Sequence, residues 1–139
     1  MSEAKPTRRE IIEAFIPNSP HAASLGIKLV SIGNDEALLK LPYSDQLATM
    51  GDVVHGGAVS TLIDTAAMAA AWASDEITEN PAGATVSLAV NFASAARGVA
   101  LQAESKVVRR GGRLSFCEVS VRDPEGELVA HGVATYRFG

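Results

Sequence analysis

The chain has 139 residues, 47% of them apolar, and a formal net charge of −4. That is long and apolar enough for one domain with a real hydrophobic core, and it excludes disorder. The negative balance and the lack of a Lys/Arg run exclude an electrostatic nucleic-acid binder, so a polyanionic small ligand has to be held locally, by a few arginines or by helix-terminal amides.

The N-terminal charges Lys5, Arg8, Arg9 and Glu10 flank no apolar signal core, and a cytoplasmic protein is expected. Residues 7–16 have helical spacing, with Ile11, Ile12 and Phe15 on one face, and Pro17 and Pro20 are expected to end that helix. His21, after Pro20, is placed in a loop. Residues 26–31 and 36–41 read as strands joined by a turn at Gly33-Asn34-Asp35, and 42–52 as a polar loop.

From residue 58 to 72 nearly every side chain is apolar or small except Asp64, which predicts a helix buried on all sides and starting at Gly56-Gly57. It is too short, and too acidic at its middle, for a membrane span. Residues 84–92, 99–108, 114–123 and 128–138 read as strands, with Gly111-Gly112 and Pro124-Glu125-Gly126 as hairpin turns. Cys117, the single cysteine, lies in the alternating run Ser115-Phe116-Cys117-Glu118-Val119 and reads as a small buried or half-buried hydrophobe. With one cysteine there is no internal disulfide and no thiolate metal cluster. The order is helix, two strands, buried helix, four strands, which an antiparallel sheet wrapped around one central helix satisfies with short connections. The whole of 1–139 is one domain, with 1–20 as an N-terminal helix and loop.

Gly56-Gly57 at a helix start removes side chains from a ligand's path and leaves N–H groups at the positive end of the macrodipole. Such amides stabilise negative charge developing on a carbonyl oxygen. Asp64 is costly inside a buried helix unless a neighbouring hydroxyl (Ser60, Thr61 or Thr65) satisfies it or it faces a water-poor cleft as a base or nucleophile. It lies eight residues beyond Gly56, about 12 Å along a helix, so its carboxylate cannot meet the Gly56 amide of its own chain. If both act on one carbonyl, the acid comes from a second subunit whose helix runs antiparallel.

The pattern His55-Gly56-Gly57, six residues, then Asp64-Thr65-Ala66 resembles the phenylacetate-degradation (PaaI-type) acyl-CoA thioesterases of the hotdog fold. The similarity extends through Ala84-Thr85-Val86-Ser87-Leu88-Ala89-Val90-Asn91-Phe92 to Gly132-Val133-Ala134. It implies an α+β hotdog fold and an acyl-CoA substrate, with no cofactor or metal. Gly56 would polarise the thioester carbonyl and Gly57 would lie at the substrate. His55 would shape the loop, and Asp64 from the partner would activate water or attack directly. Thr85 would stand near the acid, and the assembly would be a homodimer or a homotetramer of two dimers. Relatives usually carry Asn-x-x-Gly before the His-Gly-Gly; here Ala48 or Thr49 takes the Asn position, and the Thr49 hydroxyl can donate one hydrogen bond.

His55 is read as loop support hydrogen-bonded to backbone rather than as a base, and His131 as structural or solvent-facing. Arg109, Arg110 and Arg113 surround the Gly111-Gly112 turn, where Arg109 and Arg113 either meet the CoA nucleotide or form an ordinary solvated hairpin tip. Two functions remain: hydrolysis of an acyl-CoA thioester, and a non-catalytic acyl-CoA-binding or sensing module, which the absent Asn motivates. A hotdog hydratase fits less well, because its Asp/His pairing is absent.

Overall fold

The computed structural model describes residues 4–139. Helix α1 (Arg8–Asn18) opens on a capping box, in which the Thr7 hydroxyl accepts from the Glu10 N–H and the Glu10 carboxylate accepts from the Thr7 N–H. Pro17 removes one amide donor without ending the helix, and Pro20 occupies the first turn of α2 (Pro20–Leu25). As expected, α1 stops before Pro20, at the extended Ser19; Pro17 does not end it, and the expectation of His21 in a loop is corrected, because a fixed φ suits the start of α2 and His21 is helical. The apolar face of α1 is also rotated from the expected one. Ile12 and Ile16 are buried, whereas Phe15 is 48% exposed.

Strands β1 (Lys28–Ile32) and β2 (Glu36–Leu41) form the expected hairpin, with Asp35 at φ 58° in its turn. The stretch expected as a plain polar loop contains a short 3-10 turn and the ribbon β3 (Ala48–Met50) and β4 (Val53–Val54). Gly51, at φ 59°, turns the chain between the two. The ribbon is anchored below by Leu47 and Val54, both buried.

Helix α3 (Gly56–Ala71) lies across the sheet completed by β5 (Gly83–Phe92), β6 (Leu101–Arg110), β7 (Leu114–Arg122) and β8 (Leu128–Phe138). The six strands are antiparallel in the order β1-β2-β6-β7-β8-β5. Alternation along β6, β7 and β8 turns Leu101, Ala103, Val119, Val121 and Ala130 into the core against Leu62, Ile63 and Ala66 of α3. Small residues let helix and sheet approach closely. A Cβ on Gly132 would lie 2.6 Å from Ile63 Cγ2, so β8 requires glycine there. At the far end of α3, the Trp72 indole donates to the Tyr136 hydroxyl at 2.8 Å beneath the Arg8 guanidinium, which stacks on Phe138. Arg8–Glu76, Arg9–Asp75 and Lys5–Glu79 pairs pin the connection that follows the helix.

Two features bear on the site. Helix α3 is not buried on all sides, as its sequence predicts: Gly56, Ser60, Asp64 and Met68 form a half-exposed stripe recurring every four residues, because the sheet wraps only the other faces. Strand β5 is an edge strand with only Thr85 and Val90 better than exposed, leaving Val86, Leu88 and Phe92 open to solvent. No described helix is long and apolar enough to cross a membrane.

Candidate active site

His55 caps α3. Its backbone is extended (φ −60°, ψ 135°), its carbonyl accepts from the Ala58 and Val59 amides, and its ring Nδ1 accepts from the Gly57 N–H at 2.7 Å. An imidazole accepting through Nδ1 carries its proton on Nε2 when neutral. His55 is thus loop support bonded to backbone, with Nδ1 already committed.

That cap separates the two glycines. The Gly57 amide is used by His55, whereas the Gly56 N–H has no hydrogen-bond partner among the described residues. A side chain at each glycine would meet a different neighbour. A Cβ on Gly57 would sit 2.9 Å from His55 Nδ1 and disturb the cap, and one on Gly56 would sit 3.2 Å from the tip of the Phe92 ring. Gly56 therefore presents a free donor at the positive end of a sixteen-residue helix.

Asp64 is half-buried, and its Oδ1 accepts a 2.6 Å hydrogen bond from the Thr85 hydroxyl. The helix hydroxyls that the sequence offered as alternatives bond backbone carbonyls one turn back instead: Ser60 to Gly56 at 2.8 Å, Thr61 to Gly57 at 2.9 Å and Thr65 to Thr61 at 2.7 Å. Thr85 thus holds one carboxylate oxygen, and Oδ2 has no partner among the described residues. The carboxylate's field reaches the core: burial pushes the Tyr136 hydroxyl up, the bond from Trp72 lowers it in part, and Asp64 adds to the rise. Cys117 is buried, as expected, and desolvation raises its thiol to about 11.

A cleft of about 420 Å³ opens beside Gly56, walled by Thr49, Val54, Val59, Phe92 and Val129. Of the two residues offered for the missing Asn, Thr49 shares this cleft with Gly56. Ala48 lies in a separate depression with His21, His55 and Gly57. The sequence did not single out Phe92. Regular alternation from Thr85 puts residue 92 on the opposite face, but the pairing with β8 shifts between Thr85 and Ser87. That irregularity turns both Thr85 and Phe92 toward α3.

The remaining candidates lie elsewhere. Arg109 and Arg113 are exposed on the β6–β7 hairpin, at the C-terminal end of α3. Arg110 there binds Asp35 at 2.7 Å, while the Asp35 amide bonds the Ala73 carbonyl. The hairpin is therefore at the opposite end of the helix from Gly56 of the same chain. His21 Nε2 is 3.3 Å from the Thr61 hydroxyl, and His131 pairs with Glu118 at 3.2 Å on the sheet face away from α3.

An antiparallel sheet wrapped around one apolar helix, with a capped glycine start and a held mid-helix carboxylate, defines a hotdog-fold protein. The chain belongs to the thioesterase superfamily, whose family model matches residues 51–130, and it is a thioester hydrolase. A provisionally named esterase of Halobacterium salinarum is 32% identical, covering 91% of this chain and 89% of its own. The medium/long-chain acyl-CoA thioesterase YigI of Escherichia coli is 25% identical over 91% of this chain and 90% of its own. The solved structure of the E. coli PaaI protein from the phenylacetic acid degradation operon superposes with a TM-score of 0.78, covering 91% of this chain and 89% of that one. At 22% identity it shares the fold.

Proposed function

We propose that the protein hydrolyses acyl-CoA thioesters at a site shared between two subunits, with Gly56 supplied by one chain and Asp64 by its partner. The observation that carries this reading is the placement of the free Gly56 N–H and the Thr85-held Asp64 on one uncovered stripe of α3, eight residues apart. That is about 12 Å of helix, beyond the reach of one side chain. A second copy related by a two-fold axis, its α3 antiparallel, covers the stripe and brings each Asp64 to the other chain's Gly56. The exposed β5 edge supports the same arrangement, because an unpaired strand edge is a template for pairing with another chain. Two such dimers give the tetramer that the sequence resemblance implies.

In this reading the thioester carbonyl oxygen accepts from Gly56 N–H, and the Thr49 hydroxyl stands where relatives carry an amide. Asp64 takes a proton from water through Oδ2, and the hydroxide adds to the carbonyl carbon. The resulting oxyanion is held by the Gly56 amide. Collapse breaks the C–S bond, and the thiolate of CoA takes the proton, leaving the free acid. Direct attack by Oδ2 uses the same contacts and passes through a mixed anhydride, which water then opens. At the partner's end of the shared site, the Arg109 and Arg113 hairpin meets the nucleotide of CoA.

The test is thiol release from a panel of acyl-CoAs, with thermal shift measured on the same ligands. Wild type releases thiol, and Asp64→Ala and Asp64→Asn bind but do not. An Asp64→Ala enzyme as fast as wild type contradicts the proposal. Stabilisation by acyl-CoA with no thiol release at any chain length favours the non-catalytic binder, the reading left open by Thr49 in place of Asn.

A further inference from the structure

We infer that Phe92 determines which acyl groups the enzyme accepts, by walling the Gly56 cleft beside the thioester carbonyl; this rests on the thioesterase reading above. The cleft, at about 420 Å³, falls within the size range of small-molecule sites. Its polar side chains are Thr49 and Ser94, and the Ser94 hydroxyl already donates to the Leu128 carbonyl at 2.8 Å. Among the described residues, no charged side chain lines it. An acyl group ending in a carboxylate or an amine would lose water there without gaining a partner, so the cleft takes neutral acyl chains.

The tip of the Phe92 ring lies where a Cβ on Gly56 would approach to 3.2 Å. A carbonyl oxygen accepting from the Gly56 N–H must lie at that same helix start, so the acyl atoms next to the carbonyl pack against the ring. Straight chains pass beside it, whereas branching or an aryl ring close to the carbonyl collides with it. Phe92 is 57% exposed, so its ring is not spent on filling the core. Its position comes from the irregular pairing after Thr85, which places the residue that holds the acid and the residue that walls the cleft on one face of β5.

The experiment compares kcat/KM of wild type, Phe92→Leu and Phe92→Ala on CoA thioesters of matched carbon number: straight-chain, α-branched and arylacetyl. The inference predicts that Phe92→Ala raises the ratio of α-branched or arylacetyl to straight-chain kcat/KM by about tenfold, with Phe92→Leu between. A change of equal size for every acyl group overturns the inference while leaving thioester hydrolysis standing. Wild type that releases thiol from no acyl-CoA overturns both. If Phe92→Ala loses its cooperative unfolding transition, Phe92→Leu decides: a ratio shifted in the same direction supports the inference, and an unshifted ratio overturns it.

Discussion

The Thr85 hydroxyl donates to Asp64 Oδ1 at 2.6 Å, joining the edge strand β5 to the middle of α3. The contact fixes one carboxylate oxygen and leaves Oδ2 without a partner among the described residues, the atom that acts in the proposed mechanism. A hydrogen bond to a charged group contributes about 1.5–3 kcal/mol. Thr85→Val, which keeps the shape and removes the hydroxyl, is therefore expected to lower stability by about that amount and to lower kcat, because the carboxylate loses the contact that fixes it, with Thr85→Ser retaining most of both. Urea midpoints check the stability and steady-state thiol release on one acyl-CoA the rates, and equal rates for Val and Ser would remove Thr85 from the mechanism.

Gly56→Pro removes the amide donor and adds a ring beside Phe92, so Gly56→Ala, which adds a Cβ but keeps the N–H, is its control. Proline is well tolerated at the first helical position, and the extended backbone of His55 suits a residue preceding it. The variant is expected to keep its fold, with Phe92 yielding slightly, and to lose about 10²–10³ in kcat, the cost typical of removing one oxyanion donor. Circular dichroism and single-substrate kinetics measure the two halves of that statement.

How much of this was legible beforehand follows from which interactions are local. The glycine start, the apolar helix and the β6 to β8 alternation are written in short sequence periods, and the structure has each of them, with β6 two residues later than expected and one face of the helix uncovered. Asp64 stood out because a lone carboxylate in such a helix is expensive. Its partner Thr85 came only from family resemblance, since contacts between a helix and a distant strand leave no local period. Pro17 sits inside α1 without ending it, and Pro20 both closes α1 and opens α2, because proline breaks helices and starts them. Phe92 was hidden by one pairing irregularity that reverses the parity of β5.

The Arg109/Arg113 hairpin lies at the end of α3 remote from its own Gly56, so in the proposed two-subunit arrangement it would serve the partner's site. Arg113→Ala is expected to raise KM for acyl-CoA severalfold while hardly changing KM for a short pantetheine thioester, which lacks the nucleotide phosphates that an arginine holds. Equal effects on the two substrates would make the hairpin an ordinary solvated tip.

Cys117 gives a prediction about stability. Its thiol is raised from the ordinary 9.0 to about 11, chiefly by burial, with the Arg110 cation lowering it and Asp35 raising it. The folded chain thus holds this proton more tightly than the unfolded one. The corresponding stability is fully present below pH 9 and is lost as pH rises through about 11. Urea midpoints of wild type should fall across that window more steeply than those of Cys117→Ala, and alkylation of the thiol below pH 9 should require unfolding.

The most direct measurement is complementation between two inactive variants. Gly56→Pro and Asp64→Asn are prepared separately, then unfolded, mixed in equal amounts and refolded. In a mixed dimer one site combines the intact Gly56 of one chain with the intact Asp64 of the other, while the second site lacks both. Random pairing is predicted to restore roughly a quarter of wild-type thiol release, whereas each variant refolded alone stays inactive. If mixed dimers form and no activity returns, Gly56 and Asp64 do not meet across a subunit boundary.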